Sequence, residues 1–454
     1  LLPADSAASL QPHLDATILL FAAALTIGTG LLFGLFPALH STRPDLLPTL
    51  KGQAGQPSGA RSAAKFRTTL ATAQIAISMT LLVCAGLFTK SLVQVSRVEL
   101  GIKIDHLVTF GLSPALNGYT PERSLQFFQR LEDELAAQPG VSDVAGSVVP
   151  ALAGSNWGSS VAVQGFKSGP DVDTHSRYNQ IGPGYFRAMG IPLLTGREFT
   201  RSDTLKAPKV AIVNEAFAKK FNLGTDVIGK RIGTSGGTSE LDTEIVGLAR
   251  DAKYSEVRDA VPPLFFTPYK QAERVGAMAF YVRTSVEPES FLQQVHRVVG
   301  RLDANLPVEN LRTMPQQVRE NVFMDRMIST LSAGFASLAT LLAAVGLYGV
   351  LAYTVSQRTR EIGLRMALGA APGRVRSMIL KQVATMTVVG GAIGLVAGVW
   401  AGRGAGALLY EMKGHDPAVL VVSTVLLAAV ALGAGFIPAH RASRVDPMRA
   451  LRYE

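Results

Sequence analysis

Residues 327–357, MISTLSAGFASLATLLAAVGLYGVLAYTVSQ, followed by 358–381, RTREIGLRMALGAAPGRVRSMILK, decide the fold. The first stretch has no Asp, Glu, Lys or Arg over 31 residues. A membrane-crossing helix needs about 20 such residues, and at about 1.5 Å per residue this one outlasts a ~30 Å hydrocarbon core. It therefore predicts a helix that spans and continues into water. Four more uncharged apolar runs lie at 16–40, 68–89, 382–402 and 417–440. One such run could be a buried core helix, but five in one chain predict a multi-pass α-helical membrane protein.

The charges set the orientation. The chain of 454 residues is only 17 % charged yet carries a net +10. Loops 41–67 and 358–381 and the tail 441–454 hold 15 of the basic residues and few acids. Short Lys/Arg-rich loops stay in the cytoplasm, so these three segments, the carboxyl terminus included, are expected inside. Segment 90–326 has 27 basic and 26 acidic residues and is expected outside. The basic balance is thus a topology signal, and a nucleic-acid partner, which would need a basic stripe on a folded domain, is not expected.

Within the external segment, 121–140 patterns as an amphipathic helix with Leu125, Phe128, Leu131 and Leu135 on one face. Residues 209–221 read as a strand running into a helix, 243–254 and 279–286 as strands, and 288–303 as a helix. GTSGGTSE at 233–240 reads as a flexible turn. The alternation predicts small α/β sandwiches rather than one large parallel sheet.

The first and last apolar runs repeat without a gap at an offset of 401. Asp15, Pro37, Arg43 and Asp45 align with Asp416, Pro438, Arg444 and Asp446. Two apolar helices match by chance in Leu and Ala, but not readily in Pro, Arg and Asp at fixed offsets. Residues 1–51 are therefore expected to be the last membrane helix and tail of an upstream unit, truncated at the amino end. Residues 52–67 form a linker and 68–92 the first membrane helix of a second, complete unit.

Chemistry-bearing motifs are few. Gly224 to Lys230 fits GxxxxGK, but Arg231 stands where a phosphate loop places Ser or Thr for magnesium, so a turn before a strand is the better reading. No HExxH, clustered Cys or GxSxG appears, so no catalytic or metal site is expected. Cys84 is the sole cysteine, which excludes an internal disulfide. Gly390, Gly394, Gly398 and Gly402 recur every four residues and predict close helix packing, either within one unit or between subunits. In the 358–381 loop, Arg358, Glu361 and Arg365 share one helical face, Gly369 can stop that helix, and Pro372 can open the next. A solvated basic loop accounts for the charge but not for a short helix between two spans.

With these pieces in view, the sequence resembles the FtsX-like/MacB-like permease family of ABC transporters, and its duplicated-permease subgroup. The resemblance rests on 66–92, GYFRAMGIPLLTGREFTRSD (184–203), VAIVNEAFAKKF (210–221), 245–259, GLYGVLAYTVSQRTREIGLRMALGA (346–370) and PAHRASRVDPMRALRYE (438–454). It implies an external MacB-like porter domain at 93–322, with an inserted subdomain near 155–265. It also implies an FtsX-like domain at 323–454 with membrane helices 327–357, 382–402 and 417–440. Arg358, Arg360, Glu361 and Arg365 would dock a cytoplasmic ABC ATPase on a separate chain. ATP and magnesium would belong to that partner, with no cofactor in this chain. The family implies an inner-membrane permease, embedded in lipid, that moves its external domain for export. A dimer of permease units and a periplasmic adaptor or outer-membrane channel are further partners it suggests. The alternative is a signalling scaffold that regulates an envelope hydrolase, or senses envelope-active compounds, without transport.

Overall fold

The computed structural model describes residues 15–41, 58–167, 169, 171–234, 240–368 and 370–444. The chain divides into two units, one formed by 1–92 with 327–454 and the other by 93–326.

Along the chain, α1 (Ala16–Ser41) and α2 (Ser58–Val95) come first. The external unit then alternates short elements: β1 (Leu107–Leu112), α3 (Pro121–Ala136), β2 (Val141–Ser147), β3 (Trp157–Ser160), β4 (Ala162–Val163), β5 (His175–Ile181) and α4 (Tyr185–Met189). It continues through β6 (Leu193–Gly196), β7 (Val210–Asn214), α5 (Glu215–Lys220), β8 (Arg231–Gly233), β9 (Thr243–Ala249) and β10 (Leu264–Pro268). β11 (Met278–Thr284), α6 (Pro288–Leu302), β12 (Glu309–Thr313) and α7 (Met314–Asn321) complete it. Then follow α8 (Phe323–Gln357), α9 (Thr359–Ala367), α10 (Pro372–Gly404) and α11 (Pro417–Ala442).

Among the described residues, α2, α8, α10 and α11 are long and apolar enough to cross a membrane, against the five runs of the sequence. The first run is helical as α1, with its described side chains from Ile18 to Leu31 largely exposed. The chain is thus a multi-pass α-helical membrane protein with a large α/β extracytoplasmic domain. Outward faces of the spanning helices carry Phe335, Leu338, Leu342, Val396, Trp400 and Val425, each about half exposed or more. Apolar side chains so placed suit lipid. Inside, Ala71, Ile75, Met79, Leu347, Val383 and Leu427 form one core with the start of α9.

Two aromatic cores organise the external unit. In the first, α3 and α6 lay Phe128, Leu131, Val295 and Val299 over β1 and β11. Phe110 stacks on Phe280 at 5.4 Å, and Phe128 meets Phe280 at 5.8 Å. Pro121 starts α3 and the Thr120 hydroxyl accepts the Arg123 amide, as helix starts require. The second core, spanning Val161 to Phe265, packs Phe217 and Phe221 of α5 and its end against β4, β7, β8, β9 and β10. Amphipathic periods thus place each helix, and β-branched runs such as VAIV of β7 fill fully buried strands.

The strands do not form separate sandwiches. They form one hydrogen-bonded path, β12-β1-β11-β2-β5-β10-β7-β9-β8-β4, with β3 on β5 and β6 on β9. Pairing is antiparallel except for β5–β10 and β7–β9. The two cores are joined within that path by the β2–β5 step, where Ser147 opposite Ile181 is the pair among the described residues. Period and propensity are local, whereas that lateral order is set by contacts far apart in sequence.

Candidate functional site

The turn between α8 and α10 is the candidate partner site. Arg358 sits between α8 and α9, its amide bonded to Thr354 and Val355 and its carbonyl accepting the Ile362 amide at 2.8 Å. Ile362 is buried in the membrane core and Met366 packs half-buried against it, so α9 is pinned by its apolar face. Glu361 and Arg365 form an i,i+4 ion pair at 2.5 Å, and Arg365 also reaches the Met378 sulfur at 3.2 Å. Arg360 lies in α9, and Gly369 lies outside the described residues. The face opposite Ile362 shows Leu364, 52 % exposed, and Leu368, 80 % exposed. Sequence reasoning chose the charged residues and missed this leucine pair. An i,i+4 apolar pair inside a basic loop was the available signal.

The glycine stripe faces α2. A Cβ on Gly390 would come within 2.7 Å of the Thr72 carbonyl, and one on Gly398 within 3.0 Å of Val83 Cβ. At Gly394 a Cβ would overlap the Ala76 carbonyl, and one on Gly402 would come within 2.5 Å of the Gly414 carbonyl. The Thr80 hydroxyl donates to the carbonyls of Ala76 and Gly394, stitching α2 to α10. Ser78 likewise donates to Ala339 of α8 at 2.7 Å. At the other end, Lys90 pairs with Asp416 at 2.5 Å, and the Ser91 hydroxyl accepts the Tyr410 amide.

Of the repeat residues, Asp15 and Asp416 both precede a helix and accept amides from its first turn, Thr17 and Val419 respectively. Pro37 falls within α1 and Pro438 within α11. Arg444 is exposed just after α11, while Arg43, Asp45 and Asp446 lie outside the described residues.

The GxxxxGK stretch is a strand entry. The Gly229 amide bonds to Ile245, the Lys230 amide to Val227, and Lys230 Nζ to the Leu223 carbonyl at 3.1 Å. These are the groups a phosphate loop would turn toward its ligand, and here protein carbonyls occupy them. Residues 235–239 of the glycine-rich turn lie outside the described residues.

One titratable group in the external domain carries no sequence signature. Glu132 on α3 accepts from Tyr269 Oη at 3.0 Å through Oε2, while Oε1 is shut off from solvent with no partner. Burial pushes its carboxyl up to about 7, against the opposing effects of the Tyr269 hydrogen bond and of Lys270 and Arg201. Among the described residues no three His, Cys, Asp or Glu side chains gather as metal ligands.

Comparison with known proteins agrees with this architecture. The chain matches the MacB-like periplasmic core domain over residues 68–298 and the FtsX-like permease C-terminal domain over 333–447. It is 25 % identical to the ABC transporter permease YknZ of Bacillus subtilis over 63 % of this chain and 72 % of that one. It is 26 % identical to MacB of Rhodopirellula baltica, a macrolide export ATP-binding/permease protein, over 57 % of this chain and 43 % of that one. The chain therefore spans less than half the length of that relative. The crystallised periplasmic region of MacB from Actinobacillus actinomycetemcomitans aligns with 50 % of this chain and 98 % of its own, at 16 % identity and a TM-score of 0.33. The match to the MacB-like core covers half the chain and the FtsX-like match most of the remaining membrane helices, so the chain belongs to the FtsX-like/MacB-like family of ABC transporter permeases, multi-pass proteins of the inner membrane.

Proposed function

We propose that this chain is the permease partner of a separate cytoplasmic ABC ATPase, and that it passes ATP-driven movement to its external domain for export. The observation that carries this reading is the α9 elbow. It is anchored by buried Ile362 yet offers Leu364 and Leu368 beside Arg358, Glu361 and Arg365. Exposed leucines cost nothing in lipid but are unfavourable in water unless a partner covers them. The excess of Arg and Lys in the same loop supports placing this elbow, and the carboxyl terminus, on the cytoplasmic side. A docked partner pulling on α9 would act on α8, a single helix of 35 residues. ATP and magnesium belong to that partner in this reading.

The test is affinity purification of the tagged chain from its native membranes. An ABC ATPase should co-purify with the wild-type chain and be lost with Leu364→Glu/Leu368→Glu, while the variant stays folded. Equal recovery of the ATPase with the variant overturns docking through α9. Recovery of an envelope hydrolase together with unchanged efflux in a deletion strain would favour a signalling role instead of export.

A further inference from the structure

Residues 148–154 follow β2 at the step between the two cores of the external domain, and five of their six backbone amides and the carbonyls of Val149 and Leu152 are held. The Val148 amide bonds to Gln180 of β5. Asn179, fully buried on β5, grips both the amide and the carbonyl of Val149, at 2.9 and 2.8 Å. The Ala151 amide donates to Tyr281 Oη on β11 at 2.7 Å. The Leu152 and Gly154 amides bond to the carbonyls of Tyr254 and Ser255, at 2.8 and 3.0 Å. This strap therefore bonds to β11, a strand of the first core's side, through Tyr281, and to β5 and the loop after β9 through Asn179 and Tyr254.

A third set of contacts comes from the helix at the end of the domain. Gln317 and Asn321 of α7 both donate side-chain amides to the Leu152 carbonyl, at 3.1 and 3.2 Å. The Asn321 side-chain oxygen accepts the Val257 amide at 2.9 Å. One turn further, Asp325 at the start of α8 pairs with Arg258 at 2.9 Å and is almost fully buried. Gln317 and Asn321 are spaced i, i+4 on α7, and Asp325 follows on α8, just past the break at Val322. Leu152 itself is fully buried at a φ of +55°, a backbone conformation that non-glycine residues rarely take. Such a residue persists where its surroundings over-determine it, and such sites cluster at moving parts.

We propose that the 148–154 strap is a lever: Gln317, Asn321 and Asp325 hold it and the neighbouring 254–258 loop, so that turning α7 and the start of α8 changes the angle between the two cores. The three residues are positioning residues. The β2–β5 step between the cores, Ser147 opposite Ile181, lies at the foot of the same strap. A turn of α7 about its axis moves Gln317 and Asn321 together, Asp325 follows at the start of α8, and the strap has contacts on both sides of that step. This deepens the export reading above, since it names the residues that carry movement within the external domain.

The test uses the full chain in lipid nanodiscs, on a Cys84→Ser background, with nitroxide labels at Gln293→Cys on exposed α6 and Lys206→Cys in the second core's surface. Electron–electron distance distributions report the angle between cores. In Gln317→Leu/Asn321→Leu the distribution should widen or its mean move by several ångström while thermal unfolding stays cooperative. An unchanged distribution in the folded double variant overturns the lever. If that variant does not fold, the ion pair decides. Arg258→Asp and Asp325→Arg should each disturb the distribution and their combination should restore it; undisturbed single variants overturn the lever. ATP added to the wild-type chain with its co-purified ATPase tests the other reading separately. A distance that ignores ATP while the variants still shift it would sink ATP coupling and leave the lever standing.

Discussion

Where α10 meets α2, glycines at 390, 394 and 398 let one helix lie against the backbone of the other. Where α3 and β11 meet in the external domain, Phe128, Phe280 and Phe110 fill the space instead. Lipid is as apolar as leucine, so helices in a membrane gain little from hiding apolar surface and depend on close approach and on hydroxyl-to-carbonyl bonds such as those of Ser78 and Thr80. Facing water, the external domain gains from each buried ring. The same chain therefore answers to small residues in one unit and to large ones in the other.

That contrast can be broken by experiment. Gly394→Leu would drive a side chain into the Ala76 carbonyl and Met79, neither of which can swing away. Overpacking costs about 1–3 kcal/mol when neighbours can yield, and here a backbone carbonyl cannot, so loss of monodisperse protein on size exclusion is expected. Gly433→Leu on the outer face of α11, with open space around it, should be recovered at wild-type levels. Equal recovery of both would show that close approach does not hold the bundle.

Phe280→Ala removes the ring at the centre of the first core. A loss of about 3–5 kcal/mol is expected for such a truncation, read as a lower denaturant midpoint for the external domain. A loss of under about 1 kcal/mol would mean the core collapses around the gap and the aromatic half of the contrast is overstated.

The smallest effect concerns charge, which the apolar runs lack and which the external domain shelters at Glu132. Its carboxyl is pushed up to about 7, above the usual value of 4.5, so between those values the folded state holds a proton that the unfolded state has released. Its stabilising contribution is full below 4.5 and is lost as pH rises through about 7. Glu132→Gln should flatten the stability profile and gain roughly 2–3 kcal/mol at pH 8. An unaltered profile from pH 5 to 8 would show that Glu132 reaches water.

The parts of this fold legible in the sequence are those with a local cause. Uncharged length marks α8 and α11, period marks α3 and α6, and the glycine spacing marks a packing face. What the glycines face was not legible, because Thr72 and Ala76 lie over 300 residues away and offer backbone, which carries no residue code. The strap at 148–154 was hidden for a similar reason: its partners Asn179, Tyr281 and Gln317 reach it by isolated long-range bonds, with no repeat to betray them. At the elbow, the Glu361–Arg365 pair follows from spacing. The exposure of Leu364 and Leu368 depends on Ile362 winning the buried place, which is a tertiary choice.

The seam at Ser147 and Ile181 has an evolutionary consequence. The stretch from Trp157 to Pro268 brings its own aromatic core and its own strand order, and it meets β2, β11 and α3 at that seam and at the Arg187–Asp143, Tyr185–Tyr281 and Arg201–Asp133 contacts. Substitutions inside the second core can therefore leave the fit of β1, β11, α3 and α6 untouched so long as those contacts are kept. On the export reading proposed above, sequence change would then fall more freely on that stretch than on the first core and the membrane helices.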